Sequence, residues 1–130
     1  MPTDTPSNGL YWAGWALTAL VALFLLFDGA TKLLRVPPVM EACARVGLTP
    51  DMAAAIGAVL LACTALYVIP ATAVVGVILL TAFLGGAVAI HVRGGSGVVE
   101  IAFAIGFCGL AWLALVLRDL RLLWAILLRA

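Results

Sequence analysis

The residues best suited to do chemistry in this chain begin with Asp28 and Lys32, four apart in the stretch LFLLFDGATKLLRVPP. At i and i+4 they share one face of a helix, acid on the N-terminal side, which is the favourable order for an ion pair. Three more ionisable side chains, His91, Arg93 and Glu100, lie close together later in the sequence. A carboxylate near a histidine can pass protons, and a lysine or arginine can hold an anionic or carbonyl oxygen. Asp28, Lys32, His91, Arg93 and Glu100 are therefore the candidate ligand-binding residues. If the protein is an enzyme, Asp28, His91 and Glu100 are its candidate catalytic proton carriers. No metal site is expected, because one histidine and two carboxylates on separate helices lack ligand spacing. Cys43, Cys63 and Cys108 are widely separated, form no C-x-x-C pair and read as small apolar fillers, Cys43 being the most exposed. No serine or cysteine stands beside His91 in sequence, so nucleophilic catalysis has no case.

What must position these groups is a membrane. Apolar residues make up 66% of the 130 and charged ones 10%, against roughly a quarter charged in ordinary soluble domains. One domain of about four spans of ~20 residues fits this length. The net charge of +1 suggests neither nucleic-acid binding nor long-range steering.

The expected fold is all-α: an integral-membrane, up-and-down bundle of four transmembrane helices. The spans are read at about residues 10–34, 52–69, 71–90 and 98–117, within a single domain 1–130. Tyr11, Trp12 and Trp15 form an aromatic belt at the first start. With no Lys or Arg before it, that first span reads as a retained helix, not a signal peptide. Pro37 and Pro38 stop it, and VMEACARVG makes a short interfacial helix with Val39, Cys43 and Val46 on one face, ending at Gly47. From Met52 to Ile90 there is no charge; as one helix this run would reach ~58 Å, about twice the hydrocarbon thickness, so it folds back at Pro70. HVRGGSG is the next turn. Arg118, Arg121 and Arg129 stand among leucines and a tryptophan, so residues 118–130 read as an interfacial or snorkelling segment. Ala54, Ala58 and Ala62, Ala82 and Gly86, and Ala102 and Gly106 are the small-residue stripes expected at helix contacts.

The up-and-down path brings the end of span one, the end of span three and the start of span four to one mouth of the bundle. All five candidate residues belong to those ends. Asp28 lies ~27 Å along the helix from Leu10, near the far interface and not at the midplane. Two readings stand: a solvated Asp28 beside a snorkelling Lys32, or a polar pocket closed by Asp28, Lys32, His91 and Glu100. A ligand of such a pocket would be apolar with a polar head, as a quinone or a lipid is.

The chain resembles the DoxX-like membrane proteins. FDGATKL is similar to their first-helix pattern, GAVLLACTALYVIP to their second-helix signature, and AVAIH to their third-helix ending. The likeness spans roughly Trp12 to Leu117 and carries over Gly29, Lys32, Pro70 and His91. Two positions depart: Asp28 replaces a small residue, and Leu60 stands where a glutamate is often found. The resemblance implies a four-helix bundle linked to membrane redox complexes.

Three functions follow as expectations. The first is a quinone- or lipid-binding or accessory subunit, with membrane lipids, a membrane oxidoreductase or a second copy of itself as partner, and with a quinone as the one cofactor considered. The second is a membrane-embedded, cofactor-free enzyme doing acid/base chemistry on an apolar substrate. The third is a structural or assembly factor. The expected location is the bacterial cytoplasmic membrane. Lys32, Arg35, Arg45 and Arg93 flank one face and Arg118, Arg121 and Arg129 the other, so the positive-inside rule leaves orientation nearly tied.

Overall fold

A computed structural model of the chain describes residues 8–95, 97–122 and 125. Among these residues five α-helices follow in order: α1 (Asn8–Leu33), α2 (Pro37–Arg45), α3 (Pro50–Val68), α4 (Ala73–Arg93) and α5 (Val98–Arg118), with a 3-10 turn at Pro70–Thr72 before α4. All but α2 are long and apolar enough to cross a bilayer. At 1.5 Å per residue, α5 reaches ~31 Å, about the hydrocarbon thickness. Leu20, Leu23, Phe27, Val59, Val75 and Ile78 point outward and exposed. An apolar outer face of this kind is matched to lipid.

The four spans form a closed ring in which α1 packs on α3 and α5, and α4 on α3 and α5. Neighbours run antiparallel: Gly29 meets Gly57 and Gly76 meets Tyr67, while Trp112 of α5 bonds Thr81 of α4. The core is built from Val21, Leu25, Leu60, Tyr67, Val77, Leu80 and Leu115. Tyr67 is wholly buried, and its hydroxyl donates to the Ala111 carbonyl at 2.8 Å, tying α3 to α5 across the ring.

Close approach rests on other small residues than the expected stripes. A methyl group added at Gly57 would lie 2.6 Å from the Gly29 carbonyl oxygen, and one at Gly14 would lie 2.7 Å from the Arg118 nitrogen. By contrast Ala58, Ala62, Ala82, Gly86, Ala102 and Gly106 are exposed, and Gly86 and Gly106 have open space around them. The i, i+4 spacing is correct, but the face it marks is not the packed one. With apolar residues on every side of each span, small-residue spacing cannot tell a helix contact from a lipid-facing surface.

The connections have identifiable causes. Arg35, with φ 58°, ends α1 in the left-handed conformation, and Val36 N–H donates to Thr31 O while Arg35 N–H donates to Lys32 O. This is a Schellman closure with an arginine where glycine is usual. The prolines do not stop α1, as the sequence suggested; they start α2, at its first positions, where a missing N–H costs nothing. Gly47, φ 85°, closes α2 by the same pattern. Thr49 then caps α3, its hydroxyl oxygen accepting from Met52 N–H at 3.2 Å. Arg35→Gly should raise stability by about 1 kcal/mol, read by chemical unfolding in detergent, since it relieves a left-handed non-glycine residue. The Arg35–Asp51 ion pair it removes is exposed and offsets little of that gain.

Candidate functional site

α2 lies across one end of the ring, held against α3 and α1. With its C-cap Val46 it presents Val39, Cys43 and Val46 toward the bundle, and all three line a half-open cavity of about 830 Å³. Cys43, expected to be the most exposed of the three cysteines, is buried, because α2 turns that face inward. Leu25, Leu60, Phe83 and Leu84 line the cavity among other apolar residues, and an aromatic cluster bounds it between α1 and α5. Phe24 stacks on Phe107 with centroids 4.4 Å apart and lies 5.3 Å from Phe103. The volume falls within the ~300–1,000 Å³ of ordinary ligand sites.

Asp28, Lys32, His91 and Glu100 all line this one cavity. Lys32 Nζ donates to Asp28 Oδ1 at 2.6 Å, with both side chains partly buried. Glu100 stands in the first turn of α5, where the helix dipole favours an acid. Arg93 does not join them: it is exposed and outside the lining. His91 and Arg93 are two residues apart, so a helix turns them to different sides and only His91 faces inward. Leu60, the position where the resemblance has a glutamate, is wholly buried and lines the same space. Among the described residues no group of three or more His, Cys, Asp or Glu is placed to hold a metal.

The opposite end of the bundle holds a residue that sequence reasoning misread. Arg118 does not snorkel; it is 7% exposed. Its guanidinium carbon sits 4.5 Å from the Trp15 ring centroid and 5.2 Å from that of Tyr67. Nη2 donates at 3.2 Å to the Tyr67 carbonyl, one of the last-turn carbonyls of α3 that lack an intrahelical donor. Among the described residues Nε and Nη1 have no hydrogen-bond partner. Gly14 makes this possible by letting the end of α5 approach the backbone of α1. An arginine ending an apolar run reads as snorkelling by default, and only the pairing of α1, α3 and α5 reveals the two rings around it. Of the expected interfacial segment 118–130, residues 123, 124 and 126–130, Arg129 included, lie outside the described residues.

No curated protein and no solved structure matches the chain. The model of the DoxX-like family matches residues 16–114, from the third turn of α1 to just before the last turn of α5. With four membrane-crossing helices and a match over most of its length, the chain is a multi-pass membrane protein that belongs to the DoxX-like family.

Proposed function

We propose that this protein binds a membrane amphiphile of the lipid or quinone type, its polar head among Asp28, Lys32, His91 and Glu100 and its apolar body in the cavity below, and that it does so in the bacterial cytoplasmic membrane. The observation that carries this reading is the convergence of four ionisable side chains from three helices on the lining of one otherwise apolar cavity. Ionisable groups within membrane spans typically face one another, water or a ligand path, and these four, near the end of the bundle, cost less than the ~2.5–3.5 kcal/mol of a mid-span charge. The Asp28–Lys32 pair offsets its own cost by mutual contact. The aromatic and aliphatic lining supplies area for an apolar body, and the polar end supplies orientation.

Ala87, half-buried on α4 and lining the cavity, offers a direct test. A tryptophan there places an indole at the cavity lining, where it competes for the ligand volume. Protein purified in mild detergent should carry an amphiphile detectable by mass spectrometry of its organic extract. Ala87→Trp should carry several-fold less at an unchanged thermal midpoint. Equal amounts in the two proteins, or none above an unrelated membrane protein in the wild type, would refute the reading.

A further inference from the structure

Resting on that cavity reading, we infer that the occupant is a lipophilic monovalent cation, a quaternary or protonated amine or onium centre on an apolar body. The argument begins with charge. Beside His91, the lining holds one cation, Lys32, and two carboxylates, Asp28 and Glu100. Lys32 is committed to Asp28 at 2.6 Å. Glu100 makes no hydrogen bond or ion pair among the described residues, so one carboxylate is left in excess.

The other cations at this end do not cancel it. Arg35 is paired with Asp51, Arg45 is exposed with its Nε toward the Glu41 carbonyl, and Arg93 lies outside the lining. Helix ends do not cancel it either. The C-termini of α1 and α4 and the N-termini of α3 and α5 meet here, and their half-charges of opposite sign roughly balance. Glu100 is open to solvent as well as to the cavity, yet an anionic head would still add a third negative charge to the lining, and a neutral carbonyl head, even taking a remaining Lys32 N–H, would leave Glu100 uncompensated.

The aromatic cluster adds a second, independent reason. Glu100, Phe103 and Phe107 recur at i, i+3 and i+7, on one face of α5, and all three line the cavity. Asp28 stands one turn beyond Phe24 on α1, and Phe24 packs against both Phe103 and Phe107. Each carboxylate thus stands one helical turn from a phenyl ring of the same cavity. The negative faces of aromatic rings attract cations, most of all weakly hydrated ones such as quaternary ammonium. From Glu100 to Phe107 the helix rises ~10 Å, depth enough for an apolar body beneath the charged centre.

Three probes separate charge from shape: tetraphenylphosphonium, its near-isosteric anion tetraphenylborate, and the neutral decylubiquinone. Each is titrated onto the purified chain in detergent, with bound probe counted after equilibrium dialysis against empty micelles. Tetraphenylphosphonium should bind about tenfold or more tightly than tetraphenylborate, the effect of one uncompensated charge in a partly screened site. Glu100→Gln should lower its affinity about tenfold while holding the thermal midpoint, because glutamine also serves the first turn of a helix. Glu100→Lys should reverse the order of the two ions. Phe103→Leu, keeping bulk but losing the ring, should weaken the phosphonium about threefold. Decylubiquinone or tetraphenylborate binding as tightly as the phosphonium, or full phosphonium affinity in Glu100→Gln, would overturn the cation assignment and leave the cavity reading standing. Binding of none of the three, with no amphiphile in the organic extract, would overturn both.

Discussion

Replacing Gly76 with alanine will destabilise the bundle by about 3 kcal/mol or prevent its assembly, the largest effect expected of any one-methyl change in this chain. In an isolated helix the same change is favourable by about 1 kcal/mol, so the sign here is decided by packing. A methyl at Gly76 runs into the backbone of Tyr67 and Leu66 at the turn between α3 and α4. Backbone cannot rotate away as a side chain can. The residue that must yield, Tyr67, is the one whose hydroxyl bonds Ala111 and whose carbonyl receives Arg118, so its displacement strains the contact with α5 as well. Gly85→Ala is the matched control, since Gly85 lies on the same helix with open space around it; it should be neutral or slightly stabilising. Unfolding in a denaturing detergent series, followed by far-ultraviolet circular dichroism, measures both. Equal midpoints for the two variants would show that α3 and α4 do not approach as described.

At Arg118 the second large effect separates volume from charge. The side chain fills the space between Trp15 and Tyr67, so Arg118→Ala should lose about 3 kcal/mol through the void it leaves. Arg118→Met keeps most of the stem. It forfeits two ring contacts, worth ~0.5–2 kcal/mol each, and a charge-assisted hydrogen bond to the α3 end, worth ~1.5–3 kcal/mol. Against that, it removes a buried cation with two unpartnered nitrogens, each costing ~1–3 kcal/mol. These terms nearly cancel, and Arg118→Met should stay within about 1 kcal/mol of wild type. A methionine variant as unstable as the alanine one would mean that the charge itself holds the three helices together.

The sequence by itself determined the solvent, the number of spans and their breaks. Apolar runs of span length can satisfy their backbone in lipid only as helices, and Pro37, Pro50, Pro70 and the glycines after Arg93 mark where those helices begin and end. Asp28, Lys32, His91 and Glu100 could be assigned to one end of the bundle for a topological reason: alternate crossings return to the same side. Tertiary structure alone decided which way each helix faces. In a soluble helix the polar side reports the buried one, but here both sides are apolar and that signal vanishes. Hence the small-residue spacing points to Ala58, Ala62 and Gly106, which are exposed, while Gly57 and Gly76, equally small, carry the close approaches. For the same reason Arg93 and Arg118 were each placed on the wrong side of their helix ends, since an arginine near an interface can snorkel outward or turn inward at similar cost. The cavity likewise depends on orientation: helices of this composition could close on one another, and the space among Phe24, Phe107 and Glu100 exists because the ring of four and the inward face of α2 leave it.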